Sequence, residues 1–102
     1  MTSVDGEIRY STNGLAESTP VTAGADGEVH IVYEAFKCYS AWIEILTSGD
    51  IRLMKIPFLL TAISKSSTAF EPKIRVVSGD KIKVVASTPS FDSKLTYSLH
   101  YP

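Results

Sequence analysis

Cysteine is almost missing from this chain: Cys38 is the only one in 102 residues, so no disulfide can form within the chain and its stability must come from a packed core. That scarcity fits a protein kept in a reducing cytosol. An excess of basic residues is missing as well. Ten Lys and Arg stand against eleven Asp and Glu, a formal charge of −1, which leaves no positive field to gather phosphate backbone and argues against nucleic acid as a partner. The longest strongly apolar run, Ile56 to Ile63, falls far short of the roughly 20 residues of a membrane-spanning helix, so no membrane role is expected. Met1 to Gly6 has neither the basic start nor the apolar stretch of a secretory signal, and export by that route is not expected.

Groups that do chemistry are equally sparse. Two histidines and one cysteine are scattered, whereas a zinc site draws three or four ligands together, usually with one closely spaced pair. Glu28, His30 and Glu34 could share a strand face, but the rise of a strand spreads them over roughly 20 Å, and a solvated polar face is the better reading. There is no Gly-x-Ser-x-Gly elbow and no Gly-rich phosphate loop. Ser78-Gly79-Asp80-Lys81 spells Ser-x-x-Lys, yet it sits in a turn entering a strand and not on a helix face. None of the acids is singled out as half of a glycosidase pair. Cys38 reads as a small buried hydrophobe. The expectation is a protein that is not an enzyme, with no catalytic residue, no cofactor and no metal.

What the chain does have is alternation. One domain of this length buries roughly two-thirds of its unfolded surface, enough for a two-layer core. Val29, Ile31, Tyr33 and Ala35 alternate with the residues between them, as do Tyr39, Ala41, Ile43 and Ile45 over Tyr39 to Leu46, and then Leu95, Tyr97, Leu99 and Tyr101 over Lys94 to Tyr101. Further strands are expected over Ile51 to Ile56, Lys73 to Val77 and Lys81 to Ala86, with Phe58 to Ser64 read as strand and Ser64 to Thr68 as polar loop. Pro57 marks an edge, a bulge or a strand end. The fold class expected is all-β: an antiparallel β-sandwich of jelly-roll or Greek-key type with about seven or eight strands. Residues 1–27, rich in Ser, Thr, Gly and Asp, read as an extended N-terminal arm with one short strand over Glu7 to Ser11, and residues 28–102 as the sandwich body. Ser-Gly-Asp at Ser48 and again at Ser78 is read as two hairpin turns or as the trace of two similar halves.

Charge is distributed unevenly. Up to Phe36 six acids face only Arg9, while from Lys37 onward nine Lys and Arg oppose five acids, so an acidic first third precedes a basic remainder that could pair head to tail with copies of itself. Candidate partner-binding residues are Ile8, Arg9 and Tyr10 in the arm's strand and Trp42, whose ring gives much contact area at low entropy cost.

The segment Arg75-Val76-Val77-Ser78-Gly79-Asp80-Lys81-Ile82-Lys83-Val84-Val85-Ala86-Ser87, with Lys94-Leu95-Thr96-Tyr97-Ser98-Leu99-His100-Tyr101-Pro102, resembles the closing strands of viral and phage jelly-roll structural domains, among them capsid decoration (cement) proteins and receptor-binding heads. The likeness covers about the last third of the chain. It implies a small homo-oligomer, trimer or dimer, that sits on a virion after assembly in the host cytoplasm. Its partners would be the major capsid protein and copies of itself, and it would clamp coat subunits through its arm and sheet edges. The alternative is a carbohydrate- or receptor-binding module in which Trp42 and exposed tyrosines stack on sugar rings.

Overall fold

The alternation over Val29 to Ala35 and Leu95 to Tyr101 becomes strand in the computed structural model, which describes residues 2–58 and 66–102. Nine strands form among the described residues: β1 (Thr2–Arg9), β2 (Leu15–Glu17), β3 (Val21–Thr22), β4 (Gly27–Phe36), β5 (Ala41–Leu46), β6 (Arg52–Pro57), β7 (Ser66–Val76), β8 (Lys81–Ser87) and β9 (Lys94–Tyr101). Every pairing is antiparallel. One sheet runs β1-β9-β4-β7; the other runs β2-β8-β5-β6, with β3 also on β8. The expected all-β class, two antiparallel sheets, is what forms. Successive strands change sheet at every step except β2 to β3 and the β5–β6 hairpin.

Because neighbouring side chains point to opposite faces, each central strand gives one row to the interior. Val29, Ile31, Tyr33 and Ala35 of β4 and Leu95 and Leu99 of β9 meet Ile43 and Ile45 of β5 and Ile82, Val84 and Ala86 of β8. The Tyr33 ring stacks on Phe58 at 4.3 Å between centroids. Of the stretch Phe58 to Ser64, only Phe58 lies among the described residues, where it is buried; the strand expected there lies outside them. β7 starts at Ser66, well before the expected Lys73 and inside the segment read as polar loop. Cys38 is buried as expected, its thiol directed at the carbonyls of Phe36 and Lys94, and burial pushes its pKa up.

The N-terminal stretch departs most from the sequence reading. Instead of an extended arm with one short strand, β1 pairs with β9 along its whole length, from Thr2 opposite Tyr101 to Arg9 opposite Lys94. β2 and β3 then cross to the other sheet and cover the flank of β8. The cause is backbone hydrogen bonding. A buried central strand must pair both of its edges, and a polar segment that can extend serves as well as an apolar one. Residues before and after Gly27 therefore share the same two sheets.

Gly6 shows how tightly this edge closes. It faces the interior opposite Tyr97, and a Cβ placed on it would lie 2.2 Å from both Cζ and the hydroxyl oxygen of Tyr97. The tyrosine ring thus lies across the bare backbone of β1, an aromatic covering a strand glycine.

Register fixes which loops gather at each end. Arg9, Phe36 and Lys94 stand side by side, so residues 10–14, 37–40 and 88–93 cluster at one end. The Ser48 and Ser78 turns lie at the other. They differ in backbone, since Asp50 takes φ 66° in the first and Gly79 takes φ 95° in the second, so no common turn geometry marks them as a repeat. Lys81 bonds Asp50 at 2.8 Å and ties the two turns together.

Candidate functional site

Three surfaces compete for a role. The outer face of the first sheet carries a shallow depression of about 580 Å³ lined by Asp5, Glu7, Val32, Glu34, Thr96 and Ser98. Beside it His30 and His100 stand directly opposite each other on β4 and β9, and His100 bonds Ser3 through Nδ1 at 2.7 Å. The sequence left these two histidines apart; the sheet makes them neighbours, on an open face and not in a cleft. Among the described residues no three His, Cys, Asp or Glu side chains converge as metal ligands.

The outer face of the second sheet is a ladder of ion pairs. Lys83 on β8 lies 3.1 Å from Glu17 on β2 and 3.5 Å from Glu44 on β5, and Arg52 on β6 closes on Glu44 at 3.3 Å. Burial works against the Lys83 charge, but the hydrogen bonds and charges of Glu17 and Glu44 outweigh it and hold the ammonium's pKa above its ordinary value. Next to the ladder Trp42 is half-buried, opposite Val85, itself buried on this outward side. Lys55 sits over the Trp42 ring, its Nζ 4.0 Å from the centroid. That face of the indole already holds a cation.

At the loop end the chain exposes aromatics instead. Phe91 is 91% exposed and stacks on Tyr10 at 4.9 Å; Tyr39 is 71% exposed and Leu15 53%. A phenyl ring so open to water gains little in the free chain and much if covered. The loops beneath it are held in place. The Thr88 amide donates to the Gly14 carbonyl at 2.7 Å, the Ser87 amide to Ser40 at 2.7 Å, and the Ser93 hydroxyl to the Lys37 carbonyl at 2.8 Å. Lys37, held at φ 57°, bonds Asp92, and that hydrogen bond keeps the Asp92 carboxyl below its ordinary pKa. An apolar ring on a fixed loop loses little entropy on binding.

Of the residues predicted from sequence, Tyr10 reaches this surface, as the stacking partner of Phe91. Arg9 is exposed on β1 and paired with Glu7. Ile8 is 4% exposed and belongs to the core, because β1 turns it inward beside Val4 and Gly6, so it is not available as a contact. Trp42 lies on a different face. Phe91 and Tyr39 were not singled out from the sequence. Their signal was a large apolar ring amid turn residues, as in Thr88-Pro89-Ser90-Phe91-Asp92-Ser93, where no strand period accounts for it. Comparison of the chain with protein-family models, with curated proteins and with solved structures finds no match.

Proposed function

We propose that this chain is a non-enzymatic interaction protein of jelly-roll type, a capsid decoration protein that docks on coat subunits through its loop end. The fold reading is supported by strand order. If β2 and β3 count as one strand interrupted around Pro20, the orders β1-β9-β4-β7 and β2-β8-β5-β6 are those of eight strands winding between two sheets as paired Greek keys, an architecture used by viral capsid domains, lectins and cupins. Fold alone assigns no activity. The observation that carries the functional reading is Phe91, an exposed ring stacked on Tyr10 on a hydrogen-bonded loop, at the same end of the sandwich as Tyr39 and Leu15.

Burying one such side chain contributes about 1.5–3 kcal/mol, or roughly tenfold to a hundredfold in affinity. The test is sedimentation with virus particles from infected host cells. The wild-type chain is expected to pellet with the particles, and Phe91→Ser, with unchanged melting, to stay in the supernatant. Equal pelleting of both would reject the loop end as the contact. The carbohydrate reading loses Trp42, whose ring holds Lys55, and rests on Tyr39; glycan binding abolished by Tyr39→Ala would replace the decoration reading.

A further inference from the structure

The two flanks of the sandwich differ in charge, even though much of the acidic first third pairs with the basic remainder, as in Lys83–Glu17 and Arg75–Glu28. β1 is the edge of one sheet and lies beside β2 and β3, the adjacent edge of the other; this flank carries Asp5, Glu7 and Glu17, with Arg9 paired to Glu7. β6 is the far edge of the second sheet and carries Arg52 and Lys55. Arg75, 77% exposed, is on β7, the far edge of the first sheet. On each flank one charge has no ion-pair partner among the described residues: Asp5 on β1 and Lys55 on β6, both exposed. Beside Lys55 the β6 edge exposes Ile51 at 68%, Leu53 at 54% and Met54 at 37%. An edge strand with bare amides, carbonyls and apolar side chains is a template for another strand.

We infer that copies of this chain associate head to tail, the acidic β1 flank of one copy against the basic β6 flank of the next. Charge selects this arrangement over the two symmetric ones. Glu7 is held by Arg9 and Arg52 by Glu44, so the charges without an ion pair decide: β1 against β1 would bring Asp5 towards Asp5, and β6 against β6 would bring Lys55 towards Lys55, and like charges across strands repel. The mixed pairing brings the Asp5 carboxylate to the Lys55 ammonium, the two charges without an ion pair among the described residues, while Leu53 and Met54 leave water. A contact between two different surfaces is heterologous, so it closes into a ring or grows as an open array. The inference deepens the decoration reading, since it names how copies meet on a particle, but it uses flanks remote from Phe91.

The experiment is sedimentation velocity on the full chain at about 0.05 M and about 0.5 M salt, over which charge steering is strongly screened. The wild type is expected to associate at low salt and to loosen at high salt. Asp5→Lys and Lys55→Glu are each expected to weaken association at least about tenfold, with Asp5→Asn and Lys55→Gln intermediate. The deciding sample is an equimolar mixture of Asp5→Lys and Lys55→Glu. Each fails with itself, yet the basic β1 of one suits the acidic β6 of the other, so the mixture is expected to assemble. A wild type that stays monomeric at low salt would overturn the inference, as would a mixture no larger than its components. Failure here is separable from failure of the decoration reading, because monomeric variants with wild-type melting would still pellet with particles through Phe91.

Discussion

Gly6→Ala isolates the contact that closes the β1 edge. The added methyl carbon would stand 2.2 Å from Cζ and the hydroxyl oxygen of Tyr97 and 2.7 Å from Cε1, whereas non-bonded carbons settle at about 3.5–4.0 Å. The ring must therefore retreat by more than about 1 Å, or β1 must lift from β9. Neither is free, since β1 is paired with β9 on both sides of this point. Insertions of this kind cost about 1–3 kcal/mol, and the lower chain entropy of alanine in the unfolded state returns about 0.4–1 kcal/mol. A net loss of about 1–2 kcal/mol corresponds to a fall in Tm of about 5–15 °C for a domain of this size. Urea denaturation of wild type, Gly6→Ala, Tyr97→Ala and the double variant gives the coupling directly. With the ring gone, alanine at position 6 is expected to be neutral or favourable. If Gly6→Ala matched wild type, or cost the same with and without the Tyr97 ring, the steric account would be wrong.

Two further expectations concern polar groups, one buried and one half-buried. Thr88 is fully buried and its hydroxyl has no partner among the described residues, so Thr88→Val, which keeps the shape and removes the hydroxyl, is expected to stabilise by about 1 kcal/mol in urea denaturation; a loss would mean the hydroxyl is satisfied. Lys83 has a raised pKa in the folded state, so its contribution is fully present below the unfolded value near 10.5 and is lost as pH climbs through the folded one. The stability gap between wild type and Lys83→Met is therefore expected to hold at neutral pH and to narrow only in strongly alkaline buffer. A gap that did not change there would contradict the pairing with Glu17 and Glu44.

The interior was legible because alternation reports burial directly. β9 runs over Lys94–Tyr101 as read, and the rows Val29-Ile31-Tyr33-Ala35 and Ala41-Ile43-Ile45 point inward as their spacing required. The edges were not legible, because an edge strand is selected by hydrogen bonding and carries little apolar period. Thr2-Ser3-Val4-Asp5-Gly6-Glu7 looks like loop in composition and becomes strand only because β9 offers an unpaired side. The same blindness touched the candidate site. Phe91 draws its meaning from Tyr10, far away in sequence, and the two meet only after the strands carrying their loops have paired. Tyr39 was read as the first residue of a strand that in fact begins at Ala41, which leaves its ring outside.

The pairing of Thr2 with Tyr101 also governs when this architecture can come into being. A ribosome releases β1 before β9, and β9 is its ladder partner among the described residues, so β1 has no strand to dock on until β9 has emerged. Closing a loop that long precedes any reward from the contacts it brings, which places such topologies among the slow folders, in milliseconds to seconds. During that wait the flank of β9 is bare, and a neighbouring chain's first strand could fill it as well as its own: the molecule is built so that exchange between copies needs no surface that the monomer does not already possess.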